Sequence, residues 1–191
     1  MKKLVAISGG IGSGKSVVSD VLRVMGFPVY DCDAMAKSLM DNSPEIKAKL
    51  KEVFGDSVVQ DGIIDRKQLA WLVFGNGAAL EQLNGIVHPA VVNDVWMWYS
   101  AQKSSLSFVE TAILKESGLV DVVDAVLAVC ADKETRISRV ERRNGLTRKA
   151  VLDRMAMQND GVVFKGLPVY SIDNNGDMAI IPQIDSLLQL F

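Results

Sequence analysis

A glycine-rich stretch close to the start of the chain is the feature that most constrains its fold. The residues Gly9-Gly10-Ile11-Gly12-Ser13-Gly14-Lys15-Ser16 match the pattern G-x-x-x-x-G-K-[S/T], and they follow the apolar run Leu4–Ile7. A glycine loop between a strand and a helix turns its backbone N–H groups inward, and the helix adds its positive N-terminal end, so that a phosphate binds there. We therefore predict that residues 9–16, hereafter the phosphate loop, bind a nucleoside triphosphate.

The side chains at the end of the phosphate loop add specific chemistry. Lys15 can reach the β- and γ-phosphates, and the hydroxyl of Ser16 can ligate Mg²⁺. The alternative is a glycine turn with a solvated lysine, which the strand and helix patterns on either side disfavour. The predicted ATP contacts are Gly10, Ile11, Gly12, Ser13, Gly14, Lys15, Ser16 and Val17.

The apolar pattern around the phosphate loop predicts an α/β fold. The loop connects a predicted strand, Lys3–Ser8, to a predicted helix, Lys15–Met25, whose apolar residues recur at helical spacing. A second strand begins at Val29 and is predicted to end in Asp31-Cys32-Asp33, which makes a strand–helix–strand unit with parallel strands. Three further strands are predicted at Leu106–Glu110, Ala125–Ala131 and Val169–Ile172.

Two helical regions interrupt these strands. Residues 34–103 show no clear strand, and we predict helices that begin after the caps Ser43 and Asp65, followed by helices Ala78–Val87 and Ala90–Lys103. In residues 132–158 we predict a helix capped by Asp132, a break at Asn144-Gly145, and a second helix that is capped by Thr147 and runs to Gln158. A last helix is predicted over Pro182–Leu190. The predicted division is a nucleotide-binding core of residues 1–33, 104–131 and 159–191, a helical insertion of residues 34–103, and a lid of residues 132–158.

Two aspartates end the second predicted strand. Ligands gather at the carboxyl ends of strands in open α/β sheets, and residues i and i+2 of an extended chain point the same way. Asp31 and Asp33 are therefore expected to converge, one accepting a proton from an acceptor hydroxyl and the other holding a metal-bound water. The alternative is a pair of turn aspartates that cap the next helix.

The predicted lid is strongly basic. It holds eight lysine and arginine residues, of which Arg136, Arg139 and Arg143 share one helix face. Cations over a transferring phosphoryl group stabilise the charge on its equatorial oxygens, and a basic helical hairpin that closes over ATP would supply them. The alternative is a solvated charged face paired with Glu134, Glu141 and Asp153.

Other polar residues carry weaker signals. His88 is the only histidine, and it either positions substrate or orients the helix that follows Pro89; ligand spacing for a metal is missing around it. Glu110 and Glu116 flank the end of the third predicted strand, where either could face the site or cap its neighbours.

Bulk composition narrows the class of protein. The net charge of −2 over 191 residues argues against broad nucleic-acid binding, and no apolar run approaches the roughly 18 residues of a membrane span. Cys32 and Cys130 lie too far apart to suggest a disulfide framework, which favours a reducing cytoplasm. We expect a cytoplasmic protein with no membrane or nucleic-acid partner, acting as a monomer or a weak homo-oligomer.

Several segments read together resemble the dephospho-coenzyme A kinases, a family of P-loop kinases. In chain order the segments are the phosphate loop, Val29-Tyr30-Asp31-Cys32-Asp33, Val87-His88-Pro89, Leu114-Lys115-Glu116-Ser117-Gly118-Leu119, Arg143-Asn144-Gly145-Leu146-Thr147 and Ile172-Asp173-Asn174-Asn175-Gly176. The resemblance implies a three-layer P-loop kinase fold with a five-stranded parallel sheet in the order 2-3-1-4-5, a helical CoA-binding domain and a mobile lid. It also implies transfer of a phosphoryl group from ATP to the ribose 3′-hydroxyl of dephospho-CoA, the last step of CoA synthesis, with Mg²⁺ as cofactor.

The same resemblance assigns roles to single residues. It implies that Asp33 is the general base, Lys15 the phosphate clamp and Arg143 the lid arginine. The remaining expected site residues are Arg139 and Asn175 for ATP, with Asn175 near the adenine, Ser8, Asp33, His88 and Glu116 for the substrate, and Ser16 and, through a water, Asp31 for the metal.

The chain departs from the family pattern at several positions. Val17 stands where threonine is usual, Lys115 stands where an apolar residue is usual, and the arginine expected soon after His88-Pro89 is missing. Residues 162–167 also depart from the usual charged run. Two other functions stay open: a kinase for another acceptor, and a nucleotide-driven switch, although Ala131-Asp132-Lys133-Glu134 does not match the guanine-reading N-K-x-D of a GTPase.

Overall fold

The structure, a computed structural model, describes residues 1–156, 158, 164 and 166–191. The chain forms two compact units, one made of Met1–Asp31 with Tyr99–Phe191 and the other of Cys32–Trp98. Three of the six residues of the 162–167 run, at positions 162, 163 and 165, lie outside the described residues. In chain order the strands and helices are β1 (Lys3–Ser8), α1 (Lys15–Val24), β2 (Val29–Asp31), α2 (Cys32–Asn42), α3 (Pro44–Phe54), β3 (Val59–Gln60), β4 (Ile63–Ile64), α4 (Arg66–Val73), α5 (Gly77–Ala101), β5 (Leu106–Glu110), β6 (Ala125–Cys130), α6 (Lys133–Asn144), α7 (Arg148–Ala156), β7 (Val169–Asp173) and α8 (Ile180–Leu188).

The first unit is built on a five-stranded parallel sheet, which confirms the predicted α/β class. The strand order is β2-β5-β1-β6-β7. Counting only these five strands along the chain, the order is second, third, first, fourth, fifth, as the family resemblance implies. Strand β6 reads Ala-Val-Leu-Ala-Val-Cys and is buried over its first five residues, as expected of a parallel strand covered on both faces.

Helices cover the sheet by burying one apolar stripe each. Val18 and Leu22 of α1 and Ile184 of α8 are almost completely buried against β-strand residues such as Phe108 and Ile172. Burying a side chain of this size contributes about 1.5–3 kcal/mol. A separate cluster of Ile137, Val140, Val151 and Met155 joins α6 to α7, and Ile11 of the phosphate loop packs against it.

The second unit has its own apolar core and one feature that the sequence pattern missed. Strands β3 and β4 pair antiparallel, with Val59 opposite Ile64 and Gln60 opposite Ile63. The prediction of no strand in residues 34–103 was therefore wrong. Each strand has two residues, too few to show a period, but Asp61-Gly62 between them is the strongest short hairpin signal, and both residues have the positive φ, 50° and 76°, that its turn requires.

Helix α5 is one continuous helix, so the prediction of two helices around His88-Pro89 was also wrong. Pro89 lies inside it and deletes one backbone hydrogen bond, a cost of about 3 kcal/mol or more. Val87, Val91 and Val95, spaced by one turn on either side of the proline, are all buried. Their burial on one face offsets the broken bond and keeps the helix intact.

Three of the four predicted helix caps, at Ser43, Asp65 and Thr147, make the expected side-chain hydrogen bonds. Ser43 Oγ accepts from the Ile46 N–H at 3.2 Å, and Asp65 Oδ1 accepts from the N–H groups of Lys67 and Gln68. Thr147 Oγ1 accepts from the Ala150 N–H at 3.4 Å. Asp132 occupies the N-cap position of α6 without a side-chain cap, so that prediction was wrong.

Two helix ends differ from their predicted positions. Helix α7 ends at Ala156 and not at Gln158. Helix α8 begins at Ile180, which puts Pro182 in its first turn, where the backbone N–H groups have no helical partner and a proline is tolerated.

Candidate functional site

The phosphate loop connects β1 to α1 in the conformation that its glycines allow. Gly9, Gly12 and Gly14 have φ values of 154°, 79° and 97°. At Gly12 and Gly14 these are left-handed conformations, which glycine adopts without strain. A Cβ atom at Gly9 would meet the backbone oxygen of Val129, and one at Gly12 would meet the backbone oxygen of Arg136. The glycines are therefore required both by the turn and by close neighbours.

The loop closes on itself and holds its lysine inside. The Ser13 N–H donates to Gly10 O at 3.1 Å, and the N–H groups of Val17 and Val18 donate to Gly14 O at the start of α1. The Lys15 ammonium donates to Gly9 O at 2.8 Å. The predicted strand, loop and helix are thus all present, with Ser16 and Val17 exposed on the first turn of α1.

Side chains from distant parts of the first unit contact the outer side of the loop. Arg136 Nε donates to Ile11 O at 2.9 Å, and Asn174 Nδ2 donates to Ser13 O at 2.7 Å. Arg139 also reaches Ser13 O, at 3.5 Å, and Gln158 Oε1 accepts from the Ile11 N–H at 2.7 Å. Arg139 was among the predicted site residues, whereas Asn174 and Gln158 were not.

Two carboxylates face each other across the carboxyl edge of the sheet. Asp31 ends β2 and Glu110 ends β5, and the two residues are paired in register. Burial raises the pKa of Glu110, and the charge of Asp31 raises it further, while Ser19, Lys15 and Arg23 act in the opposite direction. The sequence left open whether Glu110 faces the site or caps its neighbours, and it was given no assigned role; its position at the end of the third core strand was the signal for it.

Asp33 does not lie on an extended strand, so the geometric reason given for its convergence with Asp31 was wrong. Strand β2 ends at Asp31, and α2 begins at Cys32 with Asp33 exposed in its first turn. An acidic residue in the first turn of a helix is favoured by the helix dipole. The catalytic role of Asp33 stays a prediction.

The predicted lid arginine lies at the far end of α6. Arg143 is exposed, and its Nε donates to Asn144 Oδ1 at 2.9 Å. It follows Arg136 by seven positions, which is about 10 Å along a helix axis. Arg136 and Arg139 therefore contact the phosphate loop, while Arg143 lies beyond that contact.

Asn175 contacts the start of α6. Its Oδ1 accepts from the Asp132 N–H at 2.7 Å, and its own N–H donates to Asp173 Oδ1 at 2.8 Å. Gln183 of α8 bonds both the N–H and the carbonyl of Asp173, which fixes the loop that carries Asn175. The predicted contact between Asn175 and adenine stays a prediction.

The predicted substrate residues are spread over both units. Ser8 is buried at the end of β1, and Glu116 is exposed beside the equally exposed Lys115. His88 lies half-buried in α5 of the second unit.

The described residues contain no ready-made metal cage and no membrane helix. Among them, no group of three or more His, Cys, Asp or Glu side chains is placed to hold a metal ion. In the same part of the chain, no helix has both the length and the apolar character that crossing a bilayer requires.

Comparison with known proteins decides the family. A model of the dephospho-CoA kinase (CoaE) family matches residues 3–179. The chain belongs to the dephospho-CoA kinase family. Within that family, the enzyme named dephospho-CoA kinase of Porphyromonas gingivalis is 37% identical over 186 residues, which cover 97% of this chain and 92% of that protein.

Two solved structures share the fold of this chain. The crystal structure of TT1252 from Thermus thermophilus has a TM-score of 0.81 and 33% sequence identity, and the match covers 99% of this chain and 95% of that one. A dephospho-CoA kinase from Campylobacter jejuni has a TM-score of 0.69 at 24% identity, covering 99% and 96% of the two chains, and supports the same fold.

Proposed function

We propose that this chain transfers the γ-phosphoryl group of ATP to the ribose 3′-hydroxyl of dephospho-CoA, giving CoA and ADP in the last step of CoA biosynthesis. The observation that carries the proposal is a glycine phosphate loop with its lysine inside it, in a chain that belongs to the dephospho-CoA kinase family. A phosphate loop alone supports only nucleotide binding, and the family supplies the acceptor.

The nucleotide binds through the phosphate loop in this proposal. The backbone N–H groups of Gly12 and Gly14 and the N-terminus of α1 face the phosphates, and the Lys15 ammonium exchanges its bond with Gly9 O for contacts with the β- and γ-phosphates. Arg139 adds positive charge beside the loop, and Asn175 contacts the adenine. Arg143 stabilises the charge that spreads over the equatorial oxygens of the transferring group.

The acceptor is activated by a carboxylate. Asp33 accepts the proton of the 3′-hydroxyl as that oxygen attacks the γ-phosphorus, which makes it the general base. Ser8, His88 and Glu116 bind the substrate together with Asp33. Residues 34–103 bind the CoA portion, and residues 132–158 form the lid.

The carboxylates at the sheet edge suit the magnesium ion of Mg–ATP. Mg²⁺ takes one or two protein oxygens and fills its other positions with phosphate and water, so it needs no group of three acidic side chains. The register pair of Asp31 and Glu110 offers oxygen donors of the right kind at the carboxyl edge of the sheet, and Ser16 offers an exposed hydroxyl on the first turn of α1. Ser16 would hold the ion directly and Asp31 through a water, and the bound ion would neutralise charge on the phosphates.

The proposal also covers setting and partners. A net charge of −2 and two free cysteines support a cytoplasmic enzyme that acts on ATP and dephospho-CoA, with neither nucleic acid nor a membrane as partner. It acts as a monomer or a weak homo-oligomer.

One assay tests the assignment. The purified chain is offered Mg–ATP together with dephospho-CoA, AMP, adenosine or shikimate, and ADP release is measured for each acceptor. We expect turnover with dephospho-CoA alone. Turnover with a different acceptor and none with dephospho-CoA would overturn the proposed substrate, and ATP hydrolysis unaffected by any acceptor would indicate a nucleotide-driven switch.

A further inference from the structure

Two side chains outside the phosphate loop hold its carbonyl oxygens on the outer side of the loop. Arg136 Nε donates to Ile11 O at 2.9 Å, and Asn174 Nδ2 donates to Ser13 O at 2.7 Å. From these contacts we propose that Arg136 and Asn174 are positioning residues for nucleotide binding, which aim the N–H groups of Gly12 and Gly14 at the bound phosphates. This inference rests on the proposed binding of ATP and deepens it.

The direction of each N–H follows from the geometry of the peptide bond. A trans peptide is planar, and its carbonyl oxygen points away from the N–H of the next residue. All peptide bonds in the described part of the chain are trans. Holding Ile11 O on the outside therefore points the Gly12 N–H to the opposite side, and holding Ser13 O does the same for the Gly14 N–H.

Along residues 11–14 of the loop, backbone N–H groups that bond within the protein alternate with N–H groups that do not. The Ile11 N–H donates to Gln158, and the Ser13 N–H donates to Gly10 O. Between and after them, the N–H groups of Gly12 and Gly14 have no hydrogen-bond acceptor within the part of the chain that the structure describes. Within residues 11–14, the donors that are left for a ligand are those on the two peptide planes that Arg136 and Asn174 hold.

The Ile11–Gly12 and Ser13–Gly14 peptide planes need a brace, by which we mean a side chain outside the loop that holds a peptide plane in place, because each plane adjoins a glycine. Glycine populates positive and negative φ about equally, so a peptide plane next to it rotates readily unless something holds it. A loop that is already in its binding conformation loses less conformational entropy when the ligand binds, and the ligand is bound more tightly. Gly12 and Gly14 therefore make the close turn possible and at the same time create the need for external support.

Asn174 is itself held in place. Its residue is only 9% exposed, and its N–H donates to Cys130 O at 2.8 Å. Its amide nitrogen lies where a Cβ atom at Gly14 would be. Arg139 reaches the same Ser13 oxygen at 3.5 Å, the outer limit of a hydrogen bond, so Asn174 is the main support of that peptide.

A matched pair of variants separates the brace from the charge at position 136. In Gln the Nε2 atom is as many bonds from the backbone as Nε in Arg, so Arg136→Gln keeps a donor for Ile11 O and loses the charge, while Arg136→Met loses both. We expect Arg136→Met to weaken ADP binding by roughly 10- to 100-fold, the range for one lost hydrogen bond, and Arg136→Gln to stay within about threefold of the wild type. Dissociation constants come from titration calorimetry with ADP, with Arg154→Met, an exposed arginine on α7, as the charge-loss control. Equal weakening by the Gln and Met variants would contradict the brace.

A second variant tests Asn174 against a role in binding the base. Asn174→Leu keeps the approximate shape, removes the donor and adds no charge, and we expect roughly 10- to 100-fold weaker ADP binding with adenosine binding unchanged, because adenosine carries no phosphate. An equal loss for adenosine and ADP would assign Asn174 to the adenine site, and an unchanged ADP affinity would remove it as a brace. Circular dichroism verifies folding, and if Asn174→Leu does not fold, the Arg136 pair decides the proposal.

These binding measurements do not involve the acceptor. A wild-type chain that binds ADP but does not phosphorylate dephospho-CoA would overturn the proposed substrate, and the Arg136 and Asn174 variants would still decide the brace. A wild-type chain that binds no ADP would contradict both proposals.

Discussion

The two halves of helix α6 differ in what their arginines contact. In the first half and at the middle of the helix, Arg136 and Arg139 donate to carbonyl oxygens of the phosphate loop. In the second half, Arg143 is exposed and bonds only its neighbour Asn144 among the described residues, at 2.9 Å. One face of one helix therefore carries arginines that shape the loop and an arginine that does not touch it.

Burial explains why the first half is fixed. Ile137 and Val140 are almost completely buried between α6 and α7, and Ile11 of the phosphate loop packs against that cluster. An exposed arginine keeps its rotamer freedom and is not committed to one contact. This difference supports the proposal that Arg136 acts on nucleotide affinity and that Arg143 acts on the charge that develops during transfer.

The largest effect is expected at the lysine inside the loop. Lys15→Ala removes the cation that reaches the β- and γ-phosphates, and we expect activity with dephospho-CoA to fall by about 10³-fold or more. Coupled measurement of ADP release checks this expectation. A variant that kept a tenth of the wild-type rate would show that Lys15 is not the main phosphate contact, and the arginines of α6 would then need another role.

The next largest effect is expected at the proposed base. Asp33→Asn should lower kcat by roughly 10²–10⁴-fold, the range for general-base catalysis, with ADP affinity little changed. The matched control is Asp41→Asn, on the same helix, where the carboxylate pairs with Arg66 at 2.8 Å and should be dispensable for turnover. Full turnover by the Asp33 variant would remove the base assignment.

A smaller and more selective effect is expected at the far end of α6. Arg143→Ala should lower kcat by roughly 10- to 10³-fold and leave ADP affinity unchanged, because its contact is strongest in the transition state. Arg142→Ala, the exposed neighbour, is the control for loss of charge at that end. If Arg143→Ala weakened ADP binding and left kcat intact, the difference between the two halves would disappear.

The smallest effect is expected where α6 pairs with α7 on the surface. Arg148 donates to both carboxylate oxygens of Glu134, at 2.9 and 2.6 Å, and this bond lowers the pKa of Glu134. An acid with a lowered pKa stabilises the fold above its unfolded pKa of about 4.3, and that stability is lost as the pH falls through the folded value. Because solvent screens this exposed pair, Arg148→Gln should lower Tm by about 2 °C or less at pH 7, and the difference should vanish in acid and shrink in high salt. A large Tm difference that persisted at low pH would assign Arg148 another role.

The sequence predicted those parts of the fold and of the site that depend on contacts between residues close together in the chain. The phosphate loop, the caps at Ser43 and Asp65 and the buried strand β6 each depend on neighbouring residues, and all are present. The Asp61-Gly62 hairpin was also local, but its strands are too short to show a period. The continuous helix through Pro89 depends on burial against the rest of its unit, which no propensity records.

The rest of the site could not be predicted because its partners are far apart in the chain. Asn174 is 161 positions from Ser13, and Gln158 is 147 positions from Ile11. Asn174 stands beside Asn175 in one motif, and nothing in that pattern says which of the two amides reaches the loop. Among the basic residues of α6, spacing identified a shared face but not which arginine the loop carbonyls would engage.

The most direct test of this account measures ADP affinity and kcat together for one variant from each half of α6. We predict that Arg136→Met raises the dissociation constant for ADP by roughly 10- to 100-fold and keeps kcat at saturating ATP near the wild-type value, because uniform binding is lost. We predict that Arg143→Ala does the reverse, with kcat lowered and ADP affinity intact. If both variants changed the same parameter by the same factor, the division of labour along α6 would be contradicted.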